Sequence, residues 1–209
     1  VGHDTVETES LLRRAGEGDD HAAQEVLMKH RERLRRMVAV RMDPRLARRL
    51  DPSDVIQETM AEASRRLPEY IGRRDCAFYP WLRGLAWERL IELHRRHIDA
   101  QCRSVKREER REMRMSNAST MILADRLAAS DTSPSGRMLR EELRDRVQRA
   151  LDQLAPLDRE IVTLRHLEQL SFREAADVIG VTEAAAQSRY RRAAERLHEL
   201  LSDGSEGAR

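Results

Sequence analysis

Apolar positions recur at helical spacing along two stretches of the chain, from about Ser10 to His97 and from about Met138 to Leu201. In the first, Ile56, Met60, Ala63 and Leu67 fall at i, i+4, i+7 and i+11, the stripe of a helix that buries one side. Asp51 as N-cap and Pro52 at the first helical position give that helix a sharp start. Pro68 and Gly72 predict its break. An aromatic, basic loop follows, and a helix resumes near Pro80 with Leu82, Leu85, Ala86 and Leu93 on its core side. In the second stretch, Ser171 and Glu174 form an S-x-x-E capping box, Gly180 supplies a turn at positive φ, and Thr182 caps a further helix. Ala175, Ala176, Ile179, Val181 and Ala186 are the small or apolar residues that let two helices cross closely. The pattern predicts a helix-turn-helix.

Periodicity fades between the two stretches. RSVKREERREMRM can be helical through Glu–Arg pairs at i,i+4, whereas SNAST and SDTSPSG carry the Ser, Pro and Gly of a flexible segment. So long a connection does not belong inside one compact domain. The expected fold is all-α, two small helical domains at 10–97 and 138–201 joined by a flexible linker at 98–137, partly helical or disordered, with a tail at 202–209.

Composition sharpens this. Charged residues make up 36% of the 209 and aromatics 3%, which favours small helical modules over one large core. The net charge of +2 says little, but its distribution says more. Residues 31–49 hold eight arginines against Glu32 and Asp43, and residues 51–62 then hold Asp51, Asp54, Glu58 and Glu62 with no basic residue. Charge sorted in this way suggests partners of both signs. No apolar run spans a membrane, and VGHDTVETES lacks the basic start and apolar centre of a signal peptide, so a cytoplasmic chain is expected. Cys76 and Cys102 do not form a C-x-x-C pair. His94, His97 and Cys102 could in principle bind a metal, but they lack an evident fourth ligand and match no common zinc spacing, so no metal or cofactor is expected.

Three sets of residues invite a partner. The helix after Thr182 carries Arg189, Arg191, Arg192 and Arg196, which suits a DNA groove; a solvated basic face is the plainer alternative. Asp54, Gln57 and Glu58 project together at i, i+3 and i+4. An acidic first turn that complements the helix dipole accounts for Asp54 but not for Gln57. An arginine-bearing partner helix accounts for all three. Five of the chain's aromatic residues, Tyr70, Phe78, Tyr79, Trp81 and Trp87, interleave with Arg73, Arg74, Arg83, Arg95 and Arg96, as unstacked single-stranded bases require. Some of these rings must be core, and Trp81 beside Leu82 and Leu85 is the first candidate.

At these residues the chain resembles the extracytoplasmic-function (ECF) group of sigma-70-type RNA polymerase sigma factors. DPSDVIQETM resembles the family's D-x-x-D-L-x-Q-E-x-F, RRDCAFYPWLRGLA its loop and F-x-x-W-L-x-x-I-A helix, and VTEAAAQSRYRRAAERL its region 4 helix. The resemblance implies a promoter-directing subunit of core RNA polymerase that catalyses no covalent step. It places Asp54, Gln57 and Glu58 on the β′ clamp helices. It places Phe78, Tyr79, Trp81, Arg83 and Glu88 at the −10 strand, and Thr182, Gln187, Ser188, Arg191 and Arg192 at the −35 duplex. An anti-sigma factor is a further partner common in the family. Glu88 departs from the family's usual Asn and could accept from a cytosine amino group; Met60 replaces a Phe, and Ala184, Ala185 and Ala186 replace G-T-V. The alternative from another class is a stand-alone helix-turn-helix regulator, which leaves the acidic face and the aromatic segment without a role. A helical scaffold without DNA affinity is the third.

Overall fold

In the computed structural model, residues 2–97, 120, 122–125 and 137–206 are described, and among them every regular element is a helix. The chain divides into two compact units, Val1–Val105 and Lys106–Arg209.

In the first unit, α1 (Gly2–Gly16), α2 (Asp20–Arg41), α4 (Pro52–Arg73) and α5 (Phe78–His97) pack together, with the single turn α3 (Pro44–Ala47) against α5. Leu12, Leu34, Met37, Ile56 and Leu82 are fully buried between them. Helix α4 starts as its sequence predicts: Asp51 accepts from Ser53 N–H at 2.6 Å, and Asp54 accepts from Asp51 N–H at 3.4 Å. Its end differs from expectation. The helix runs straight through Pro68 and Gly72 to a cap at Arg74, whose backbone is left-handed (φ 47°) and whose N–H donates to the Tyr70 carbonyl at 2.8 Å. Pro68 and Ser64 are exposed, so the carbonyl that the proline leaves without a donor faces water. Ala63, Leu67 and Tyr70 on the other side are buried, and that burial carries the helix across the interruption.

Helix α5 begins at Phe78 rather than near Pro80. Pro80 sits in the first turn, where its missing N–H would have no intrahelical acceptor. The aromatic residues expected in a loop are therefore helical.

The second unit contains α6 (Arg137–Asp152), α7 (Pro156–His166), α8 (Phe172–Ile179) and α9 (Glu183–Glu206), and α9 packs on the other three. Leu151, Ile161, Leu164, Leu170 and Ala186 form its centre. Residues 120 and 122–125, inside the expected linker, are helical, with Thr120, Leu123 and Ala124 buried and Asp125 3.9 Å from Arg144 on α6. The rest of the segment, including RSVKREERREMRM and SDTSPSG, lies outside the described residues.

Candidate nucleic-acid interface

In the second unit, Ser171 and Glu174 satisfy one another's backbone donors, with Ser171 N–H donating to Glu174 at 2.8 Å and Glu174 N–H to Ser171 Oγ at 3.2 Å. Gly180 has φ 71°, a conformation that a side chain resists, and turns the chain from α8 into α9. Thr182 Oγ1 then accepts from Ala185 N–H at 3.2 Å. Ala186, Ala193 and Leu197 face inward along α9. This leaves Thr182, Gln187, Arg191 and Arg192 exposed, with Ser188 half-buried beside them. Arg192 donates to Ser188 Oγ at 3.0 Å, and Arg191 stands 3.8 Å from Glu195.

Arg189 is not on that face. It pairs with Asp158 of α7 at 2.7 Å, both side chains largely withdrawn from solvent. Tyr190 Oη lies 2.9 Å from His166 Nε2, and the Tyr190 ring meets Phe172 edge-on. Two polar struts and an apolar seam thus fix the roll of α9 about its axis. Sequence reasoning grouped Arg189 with the other arginines of the helix and missed His166, because a partner 31 or 24 residues away leaves no mark in local spacing.

In the first unit, Asp54, Gln57 and Glu58 stand exposed on one side of α4, while Val55, Ile56 and Thr59 are buried on the other. Hydrogen bonding from the Ser53 backbone holds the Asp51 carboxyl below its usual range. Glu58 is also engaged within the unit. It pairs with Arg89 of α5, which donates to Glu92 at 2.5 Å, and Glu92 in turn pairs with Arg96. The hydrogen bond from Arg89 holds the Glu92 carboxyl below its usual range.

Three of the five side chains expected to face the strand, Phe78, Tyr79 and Arg83, turn inward in this structure. They are only 3%, 2% and 5% exposed. Phe78 packs among Tyr70, Trp81 and His30. Tyr79 donates to the Arg33 carbonyl at 3.4 Å under the Arg33 guanidinium, and Arg83 lies 5.3 Å from the Trp87 ring. Trp81, expected in the core, is half-exposed and stacks on Tyr70 at 4.6 Å. Glu88 is exposed, in a groove of about 480 Å³ between α4 and α5 that Glu58, Glu62, Arg66 and Arg89 also line. The basic block at 31–49 is likewise divided, since Arg41 is buried near Trp87 whereas Arg36, Arg48 and Arg49 are exposed.

His94 stands 3.7 Å from Asp43, and no group of three or more metal-binding side chains occurs among the described residues. No helix among those residues is long and apolar enough to cross a membrane.

Residues 144–197, the span that holds the helix-turn-helix, match the family model described as Sigma-70, region 4. The chain is 27% identical over 187 residues to the ECF RNA polymerase sigma-E factors of Escherichia coli (strain K12) and Salmonella typhi, covering 90% of this chain and 90% of each relative. It is 26% identical over 193 residues to that of Haemophilus influenzae, covering 92% and 94%. The chain is a homologue of the ECF sigma factors, with a sigma-70 region 4 domain. It is an RNA polymerase sigma factor, and a stand-alone regulator is not favoured. The solved structure of CnrH in complex with the cytosolic domain of CnrY shares its fold, with a TM-score of 0.52 and 22% identity over 94% of this chain and 98% of that one. Two helical domains are the architecture of this sigma factor. Its region 4 match starts within α6 and ends in α9, so the Arg189–Asp158 and Tyr190–His166 contacts that orient α9 fall inside it.

Proposed function

We propose that this sigma factor acts in the cytoplasm as a dissociable initiation subunit, docking core RNA polymerase through its first unit and reading promoter DNA with both. Asp54, Gln57 and Glu58 receive the β′ clamp helices. Trp81 and Glu88 meet the −10 strand, with Phe78, Tyr79 and Arg83 as the packed support beneath them. Thr182, Gln187, Ser188, Arg191 and Arg192 meet the −35 groove. The domains run 10–97 and 138–201 with the connector at 98–137, and the subunit itself performs no covalent step. The observation that carries this reading is homology to sigma-E factors along 90% of the chain, with the acidic α4 face and the α9 cations both exposed. A protein partner that sequesters the sigma factor, as the cytosolic domain of CnrY engages CnrH, fits the same scheme.

The test is a pull-down of core polymerase with wild type and Asp54→Arg/Glu58→Arg, with circular dichroism to verify folding. Wild type binds, and the folded variant binds at least about tenfold more weakly, since paired charges become repulsive ones. Equal retention of both proteins refutes this docking face.

A further inference from the structure

Asp54 and Glu58, the two carboxylates of the exposed α4 face, are both tethered from within the unit, by different means. Asp54 accepts from the Asp51 N–H at 3.4 Å, a bond within the start of its own helix. Glu58 is held from the neighbouring helix. Its Oε2 meets one terminal nitrogen of Arg89 on α5, and the other terminal nitrogen of Arg89 donates to Glu92 at 2.5 Å. The Arg89 side chain is 23% exposed and that of Glu58 52%, so the cation is the covered member of the pair and the carboxylate the open one. Arg89 Nε is buried with no acceptor among the described residues, which costs the fold, so stability alone does not account for this placement.

We propose that Arg89 is a positioning residue for the polymerase-docking face, which holds Glu58 in one rotamer, with acceptor capacity to spare, for a cation of the polymerase. This rests on the reading of Asp54, Gln57 and Glu58 as that face. A glutamate side chain has several rotatable bonds, and an exposed one loses their freedom when a partner fixes it. Here Arg89 has fixed them before the partner arrives. An ionised carboxylate accepts at about four lone-pair sites, so one guanidinium nitrogen leaves room for a second donor. The charge of Arg89 does not turn that donor away, because Glu92 takes its other terminal nitrogen and most of its surface is covered. Glu92 is shared in turn with Arg96, which is 60% exposed and screened by water. The face keeps its exposed carboxylates and loses their mobility. Nothing in the spacing of α4 marks this role, since Arg89 reaches Glu58 only through the packing of α4 on α5.

The experiment measures the affinity of core polymerase for the full chain in a cycle of Arg89→Met and Glu58→Ala, with tryptophan-fluorescence melts to verify that each variant folds. Methionine keeps an unbranched apolar stem and loses the donors. Arg89→Met binds about threefold to tenfold more weakly than wild type, the cost of ordering one side chain on docking. In the Glu58→Ala background the same substitution costs nothing further, because no carboxylate is left to place. Arg89→Lys, which keeps the charge and loses the fork, recovers part of the loss. If Arg89→Met melts below the assay temperature, Arg89→Lys carries the cycle, with a smaller loss that again vanishes beside Glu58→Ala. An equal loss in both backgrounds is the mark of a merely structural residue and overturns the proposal. Unchanged or tighter binding by Arg89→Met, in a chain that Glu58→Ala weakens, overturns it too and leaves the docking face standing. Binding that Glu58→Ala leaves unchanged overturns Glu58 as part of that face, and the role of Arg89 with it.

Discussion

Asp43 concentrates three interactions at one residue: it accepts from Arg45 N–H at 2.8 Å, pairs with the Arg45 guanidinium at 3.0 Å, and faces His94 at 3.7 Å. The hydrogen bond from the Arg45 side chain, aided by the backbone bond, holds its carboxyl below the ordinary aspartate value. The folded pKa is depressed, so the charge stabilises the unit above the unfolded aspartate value of about 4, and that stabilisation is lost as pH falls through the folded value. Asp43→Asn keeps a good N-cap and removes the charge. Denaturant melts should find it less stable than wild type at pH 7, with the gap narrowing below about pH 4 and closing in stronger acid. A gap that stays constant from neutral to acid would refute the electrostatic account. Sequence alone marked His94 as a distant metal candidate; its contact with Asp43 depends on α3 packing against α5.

Among elements, α4 and α9 show how packing modifies local rules. A proline inside a helix costs about 3 kcal/mol relative to alanine, and α4 tolerates Pro68 because its freed carbonyl is solvated and its apolar side is buried. Pro68→Ala should raise the stability of the first unit, by up to about 3 kcal/mol, without altering its helical content. A loss of stability in thermal melts would mean that the proline sets a bend the core needs. In α9, Ala186 replaces the valine of the pattern that the helix resembles, and it is 0% exposed, so a larger side chain there has no route to solvent. Ala186→Leu should therefore destabilise the second unit by about 1–3 kcal/mol through overpacking, and should weaken −35 binding by tilting the helix. Neutral stability in that variant would reveal spare room beneath α9.

For the whole molecule, two separate cores predict separable unfolding. Both tryptophans, Trp81 and Trp87, belong to the first unit, so tryptophan fluorescence reports that unit while far-ultraviolet circular dichroism reports both. Ile56→Ala removes a fully buried side chain from the first core, at a cost of about 2–5 kcal/mol. The fluorescence transition should move to lower denaturant, and the part of the dichroism transition that belongs to the second unit should stay in place. A single transition that shifts as one in both signals would show the units to be thermodynamically coupled.

Several features could be read directly from the residues. Capping at Asp51, Ser171 and Thr182, the positive-φ turn at Gly180 and the exposure of Asp54, Gln57 and Glu58 follow from chemistry within a few positions, and the structure realises each of them. The stops at Pro68 and Gly72, the inward turn of Phe78, Tyr79 and Arg83, and the exposure of Trp81 could not be read in that way. A proline's cost depends on whether its orphaned carbonyl meets water, and an aromatic ring's burial depends on which neighbouring helix covers it. Local spacing gives the faces of a helix; only the packing of α1, α2, α4 and α5 decides which of those faces is left open to a partner.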